Sequence, residues 1–181
     1  MNQVNKNKDK KIFKGQILFR MVCGLLLMGF ALSMSTVAMA ADANQVKRLK
    51  RSIKDWNQWR KKNPSVVIDL TYADLSDCNL QGANLSGAKL YKADLSKAKL
   101  SFANLYKADL QGASLYKADL SGCILIQANL LRTSLIKADL RYANFLKTNP
   151  YIAIFMGNLQ NASTKWPKNY HPPKHSLKLL K

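Results

Sequence analysis

The stretch ANLSGAKLYKADLSKAKL, residues 83–100, decides how most of this chain folds. Leucine stands at 85, 90, 95 and 100, and alanine stands two residues before each. Followed outward in both directions, the spacing of five holds without a gap. The series runs Leu70, Leu75, Leu80, Leu85, Leu90, Leu95, Leu100, Leu105, Leu110, Leu115, Leu120, Leu125, Leu130, Leu135, Leu140 and Phe145, sixteen consecutive positions. The position two before each is alanine in twelve of the sixteen, the exceptions being Ile68, Cys78, Cys123 and Thr133.

Neither regular element accommodates this period. In an α-helix five residues advance the side chain by about 500°, so the leucines would spiral over every face. In a straight strand an odd spacing flips the side chain at each repeat and sends half the leucines into water. The chain must therefore turn a corner once per repeat. Residues two apart in an extended piece point the same way, so alanine and leucine share one side. The other positions are mostly polar, as at Asp74, Asn79, Ser86, Gly87 and Lys97. The arrangement that satisfies all of this is an all-β solenoid. Short extended pieces turn alanine and leucine inward, and successive coils stack to bury one continuous core.

The triplets Ala73-Asp74-Leu75, Ala83-Asn84-Leu85, Ala93-Asp94-Leu95, Ala103-Asn104-Leu105, Ala108-Asp109-Leu110, Ala118-Asp119-Leu120, Ala128-Asn129-Leu130 and Ala138-Asp139-Leu140 read A(D/N)Lxx. In this the chain resembles the pentapeptide-repeat family. The resemblance implies a right-handed quadrilateral β-helix with four repeats per coil, hence about four coils. The segment Trp56 to Pro64, followed by Asp69-Leu70, is similar to the family's lead-in, and Thr164 to Pro172 is similar to its exit. Lys168 and Asn169 depart from the exit pattern, where acidic residues and a glycine are commoner.

Four segments follow from this. Residues 1–40 read as an export signal. Met1 to Arg20 is basic, Met21 to Met34 is apolar, and Ala38-Met39-Ala40 is a small-x-small site with the cut expected after Ala40. The alternative is an uncleaved anchor over residues 21–41, which carry no charge. Either way the remainder is expected outside the cytoplasm, periplasmic or secreted. Residues 41–65 read as one amphipathic capping α-helix. Val46, Leu49, Ile53 and Trp56 form its apolar stripe, Asp42 or Asn44 its N-cap, and Asn63-Pro64 its end. Residues 66–149 are the repeat. Residues 150–181 are expected to form a partial coil and a cap, with a frayed tail from His175 to Lys181.

The chain holds 29 bases against 10 acids, every acid an aspartate, for a net charge of +19. Such a charge suggests an anionic partner until it is located. The repeat carries ten bases and seven acids, residues 41–65 eight and two, and residues 150–181 five and none. The excess therefore belongs to the ends. On the capping helix it forms a candidate basic surface of Lys47, Arg48, Lys50, Arg51, Lys54, Arg60, Lys61 and Lys62. That face suits a solvated cap or a weak contact with an anionic membrane.

No nucleophile, metalloprotease or phosphate-loop motif occurs, and no enzyme, cofactor or metal is expected. His171 and His175 lack the further ligands that a metal site needs. Cys78 and Cys123 take inward positions on different sides of a four-repeat coil, too far apart for a disulfide. Twenty residues per coil would stack Asp77, Lys97, Lys117 and Lys137 in one column and set Lys99 beside Asp119.

Outward positions become apolar toward the C-terminus. Tyr116, Ile124, Ile126, Leu131, Ile136, Tyr142 and Leu146 form a candidate interaction surface. It is either covered by Tyr151, Ile152, Phe155 and Trp166 or used for self-association, a homodimer through the last coils. The expected function is a non-catalytic exported scaffold mediating protein–protein or envelope contacts. The alternative is peripheral binding to anionic membrane through the basic helix. A topoisomerase-binding DNA mimic, as some members of that family are, needs an acidic surface that this chain lacks, and no nucleic acid is expected as partner.

Overall fold

A computed structural model of the chain describes residues 40–172 and 177–179. The export signal expected of residues 1–40 and the anchor alternative fall almost wholly outside these residues, as does His175.

Each repeat makes its corner with one β-turn. The N–H of the small inward residue donates to the carbonyl of the leucine three residues earlier, as from Ala73 to Leu70 at 3.0 Å and from Ala103 to Leu100 at 2.9 Å. The second residue after each leucine adopts a positive φ, for example 54° at Asp77, 58° at Lys97 and 62° at Gln127. A turn with positive φ at its third residue ordinarily calls for glycine. Glycine occupies it at 82, 87, 112 and 122, while lysine, arginine, glutamine, tyrosine, phenylalanine and Asp77 hold it elsewhere. A side chain there costs about 1–2 kcal/mol, which the stacked coils must offset.

The turns bring residues twenty apart into register. Parallel bridges join Asp74 to Asp94, Asp94 to Ser114, Ser114 to Ser134 and Ser134 to Ile154, and the other three sides repeat the pattern. Four turns thus close each circuit of twenty residues. Between coils the backbone groups pair directly: Leu95 N–H to Ser114 carbonyl at 2.8 Å, Lys97 N–H to Tyr116 carbonyl at 2.8 Å, and Ser114 N–H to Ala93 carbonyl at 3.0 Å. The leucines from Leu70 to Leu140 and Phe145 are at most 1% exposed and form one cluster with the inward alanines.

The aspartates and asparagines just before each leucine have a local role. Their Oδ1 accepts the backbone N–H two residues on, as from Ser96 to Asp94 at 2.9 Å, Tyr106 to Asn104 at 3.0 Å and Ser121 to Asp119 at 2.9 Å. These Asx turns hold the chain as it enters the corner. At two of the positions where alanine is replaced, Cys123 and Thr133, the side chain also donates inward. Cys123 Sγ and Thr133 Oγ1 reach the carbonyls of Leu100 and Leu110 at 2.9 and 2.8 Å. Asn158 Nδ2 donates to the Leu135 carbonyl, while its Oδ1 is buried without a partner among the described residues.

Glycine substitutions test the turn geometry. A Cβ at Gly82 (φ 66°) meets nothing within 4 Å, so Gly82→Ala is expected to cost only the backbone penalty, about 1 kcal/mol. A Cβ at Gly122 (φ 68°) would lie 2.7 Å from the Phe102 ring, so Gly122→Ala should cost more. Phe102→Ala in the Gly122→Ala background should remove the excess. Urea denaturation of the three variants checks this, and equal losses at the two glycines would remove the steric component.

Cys78 and Cys123 are both free thiols. Burial pushes the Cys123 thiol far above the usual range. The thiolate is the reactive form, so Cys123 is expected to resist alkylation until the chain unfolds, while the half-buried Cys78 reacts first. Mass spectrometry after timed labelling reads the order directly.

The N-terminal end corrects the expectation of one continuous helix. Helix α1 (Ala43–Arg51) and helix α2 (Ile53–Lys62) are separated at Ser52, whose backbone is extended at φ −163° and ψ 118°. Ser52 Oγ accepts from Asp55 N–H, so this residue ends α1 and caps α2. Asp42 caps α1 by accepting from Asn44 and Gln45. Leu49 and Trp56 are fully buried, whereas Val46 and Ile53 are half-buried.

The two helices close part of the open edge of the first coil. Gln45 acts like a peptide of a missing coil: its Oε1 accepts from Asp69 N–H at 2.8 Å and its Nε2 donates to the Val67 carbonyl at 3.1 Å. Asn57 does the same between Asn84 N–H (2.8 Å) and the Gly82 carbonyl (3.0 Å). Asp42 N–H reaches the Asp69 carbonyl, and Trp56 Nε1 reaches that of Asn84, both at 2.9 Å. Unpaired strand edges recruit other chains, and these contacts block two of the four sides.

At the other end the ladder continues beyond Phe145. Asp139 pairs with Leu159 at the usual spacing of twenty, but Asn144 pairs with Lys165, twenty-one residues on, so one extra residue is accommodated between them. Trp166 stacks on Phe145 with centroids 4.6 Å apart and planes 9° apart, and Phe155 and Tyr170 complete an aromatic plug. The tail expected to fray contributes a strand instead. Strand β1 (Asn158–Gln160) pairs in parallel with β2 (Leu177–Leu179). Among the described residues no helix is long and apolar enough to cross a membrane.

Candidate interaction surfaces

The twenty-residue register sorts the seven apolar outward residues into columns, and they do not form one patch. Ile126 lies beside Leu146, with Gln127 N–H bonded to the Leu146 carbonyl at 3.2 Å, and Tyr106 lies below Ile126. Ile124 flanks that column one strand position away. Tyr116 and Ile136 form a second column, Lys117 N–H donating to the Ile136 carbonyl at 2.9 Å. Repeats ten residues apart are half a circuit apart, so the two columns occupy opposite walls. Leu131 and Tyr142 belong to the remaining two walls. A shared spacing of five makes Tyr116, Ile126, Leu131, Ile136 and Leu146 look alike in sequence, and only the coil closure separates them.

The structure adds residues that the sequence reading did not assign to a surface. Met156 continues the second column, its carbonyl accepting from Lys137 N–H at 2.7 Å, and it is 59% exposed. Ile154 beside it is 47% exposed. One of the two alternatives was that Tyr151 and Ile152 cover the apolar row together with Phe155 and Trp166. Instead Tyr151 and Ile152 are exposed, while Phe155 is buried and Trp166 packs against it and Phe145. Ser134 still pairs with Ile154 at the spacing of twenty, so Phe155 takes the inward place of the leucine series, while Tyr151 and Ile152 fall on the outward corner positions one and two residues after Pro150.

Charged residues line the same walls. Asp77, Lys97, Lys117 and Lys137 share one column at the turn corners, all with positive φ, and Gly157 tops it. Lysines lean over neighbouring tyrosines, Lys107 over Tyr106 at 5.2 Å and Lys117 over Tyr116 at 5.3 Å. Lys99 and Asp119 are bridged in register. The one ion pair among the described residues is instead Arg141 with Asp139, which raises the pKa of the guanidinium.

The basic surface of the capping segment also changes. Lys47, Arg48, Lys50, Arg51, Lys54, Lys61 and Lys62 are exposed, but Arg60 is buried. Its guanidinium donates to the carbonyls of Val66 (3.2 Å) and Ser86 (3.0 Å), and burial lowers its pKa. Arg60 is therefore part of the cap rather than of a binding face. Helical spacing alone placed it outward, and its long side chain folds back onto the first coil.

Beyond these surfaces, comparisons with known proteins bear on kinship. A family model for Pentapeptide repeats matches residues 68–105 and 113–149. No curated protein matches the chain. A pentapeptide repeat protein from Nostoc PCC 7120 is 31% identical over 68% of this chain and 94% of its own, with a TM-score of 0.37. One from the cyanobacterium Cyanothece 51142 is 36% identical over 55% of this chain, with a TM-score of 0.35. One from the Arabidopsis thaliana thylakoid lumen is 35% identical over 45% of this chain, with a TM-score of 0.30. The chain spans 64% and 53% of the lengths of those last two proteins. With its five-residue motif matched in both halves of the repeat and a relative 31% identical over nearly its whole length, this chain belongs to the pentapeptide-repeat family.

Proposed function

We propose that this protein is a non-catalytic, exported interaction scaffold whose repeat tower holds apolar side chains at fixed spacing for a partner protein. The observation that carries this reading is the pair of opposite-wall columns, Tyr106–Ile126–Leu146 and Tyr116–Ile136–Met156, held by a continuous backbone ladder. We read the tower as right-handed, with about four regular coils, an irregular further circuit and a helical cap at the N-terminal end. Export rests on the basic, apolar and small-x-small sequence of residues 1–40. A DNA-mimic role is disfavoured by ten bases against seven acids in residues 66–149.

The test is affinity capture with the mature chain, its N-terminus first determined by mass spectrometry. An Ile136→Glu/Met156→Glu variant is carried in parallel. A partner held by the parent and lost by the variant supports the second column as the contact. Equal capture by both, or a partner equally lost by a Gln127→Glu control, counts against it. Sedimentation of the parent chain identifies the case in which that partner is a second copy.

A further inference from the structure

The break at Ser52 gives the two helices a concave side. Lys47, Arg48 and Arg51 of α1 and Lys62 of α2 line one groove with Asn44, Asp55, Gln58 and Trp59, and its volume is about 560 Å³. In a straight helix, Lys47 and Lys62 would stand about 22 Å apart along the axis, on no common site. The extended backbone at Ser52 is what lets them share one.

Of the eight bases in this segment, four converge here and four do not. Arg60 is turned into the cap, and Lys50, Lys54 and Lys61 lie outside the groove. A single carboxylate, Asp55, lines it, and among the described residues it pairs with none of these cations. Arg48 is also positioned: its guanidinium lies 5.1 Å from the centre of the Trp59 ring. A planar guanidinium held against an indole face keeps its donors in one orientation, which suits the paired oxygens of a phosphate. The volume falls within the range of small-molecule sites, about 300–1,000 Å³.

We infer that this groove is a binding site for a compound carrying two or more phosphate groups, either a free polyphosphate or the phosphate-bearing headgroup of a lipid. The site stands apart from the wall columns, and its test does not depend on them. Arg48 and Arg51 engage the phosphates through paired hydrogen bonds, Lys47 and Lys62 add charge at the rim, and Trp59 forms the floor.

The experiment titrates the full chain with inorganic pyrophosphate by calorimetry at low salt. Arg51→Glu is compared with Lys54→Glu, which makes the same change of charge outside the groove. Reversing Arg51 is expected to weaken binding about tenfold or more and reversing Lys54 by no more than about twofold. Arg51→Gln should fall between the parent and Arg51→Glu, and retained helical circular dichroism establishes that each variant folds. Equal weakening by Arg51→Glu and Lys54→Glu, or no pyrophosphate binding by the parent, overturns the site. A second arm uses vesicles of cardiolipin, whose headgroup carries two phosphates. Retention that pyrophosphate competes away, and that Arg51→Glu weakens, assigns the groove to lipid headgroups. Pyrophosphate binding without such competition assigns it to free phosphate compounds.

Discussion

Replacing Leu110 by alanine is expected to lower the free energy of unfolding by about 3–4 kcal/mol, near the middle of the range for buried leucines. Leu110 is fully buried. The bridges Lys89 to Asp109 and Asp109 to Asn129 place it between Leu90 and Leu130 in one column. Its own N–H is bonded to the Asn129 carbonyl at 2.9 Å, and its carbonyl accepts both the Ala113 N–H at 2.9 Å and Thr133 Oγ1 at 2.8 Å. The surrounding backbone is therefore tied above and at the corner, and it cannot collapse into the space a leucine leaves. Urea denaturation should show a lower midpoint. If the weakened coil lets the two halves unfold separately, the slope should fall as well, because stacked repeats are coupled mainly to their neighbours. Lys107→Ala at the adjacent exposed corner should change stability by less than about 0.5 kcal/mol. A loss below about 1 kcal/mol for Leu110→Ala would mean that the leucine does not fill the core as described.

Replacing Trp56 by alanine should cost about 3–5 kcal/mol, and it should change association as well as stability. Trp56 is fully buried under the first coil, and its indole N–H holds the Asn84 carbonyl at 2.9 Å. Losing the ring loosens the seat of α2 and with it the Asn57 amide that closes Asn84 N–H. An exposed parallel edge is a template for another strand. Light scattering is thus expected to show concentration-dependent association of Trp56→Ala beyond that of the parent. Trp56→Phe keeps most of the apolar contact and should lose about 1 kcal/mol, the worth of one hydrogen bond. If Trp56→Ala unfolds earlier yet associates no more than the parent, the helices stabilise the first coil without protecting its edge.

The five-residue period was readable because it answers to a local rule. Every leucine meets the same demand, so one stretch of eighteen residues predicts the other repeats. The complete absence of glutamate has a structural counterpart. Where an acid precedes a leucine it must reach the N–H two residues on, and Asp74, Asp94 and Asp119 do so with the short side chain that an Asx turn requires. The Ser76 hydroxyl and N–H on Asp74 also hold that carboxyl below its ordinary pKa. By contrast, the corner residue could not be picked out. Lys97, Phe102 and Gln127 are poor choices for positive φ, and they occupy it because the stack imposes it.

By itself the sequence determined which residues face inward, that the chain must turn once per repeat, that capping elements flank the tower, and that most of the excess charge lies outside it. These depend on spacing and on residue chemistry at single positions. Only the tertiary structure decided which outward residues meet. Ile126 and Ile136 are ten residues apart and equivalent in the repeat, yet the closed circuit puts them on opposite walls. The same holds at the N-terminal end. Lys47, Arg48, Arg51 and Lys62 converge only because Ser52 breaks the helix, and Arg60 leaves the basic face only because unpaired carbonyls of Val66 and Ser86 are within its reach. Surface neighbours are set by coil closure and edge satisfaction, both of which act between residues far apart in the chain.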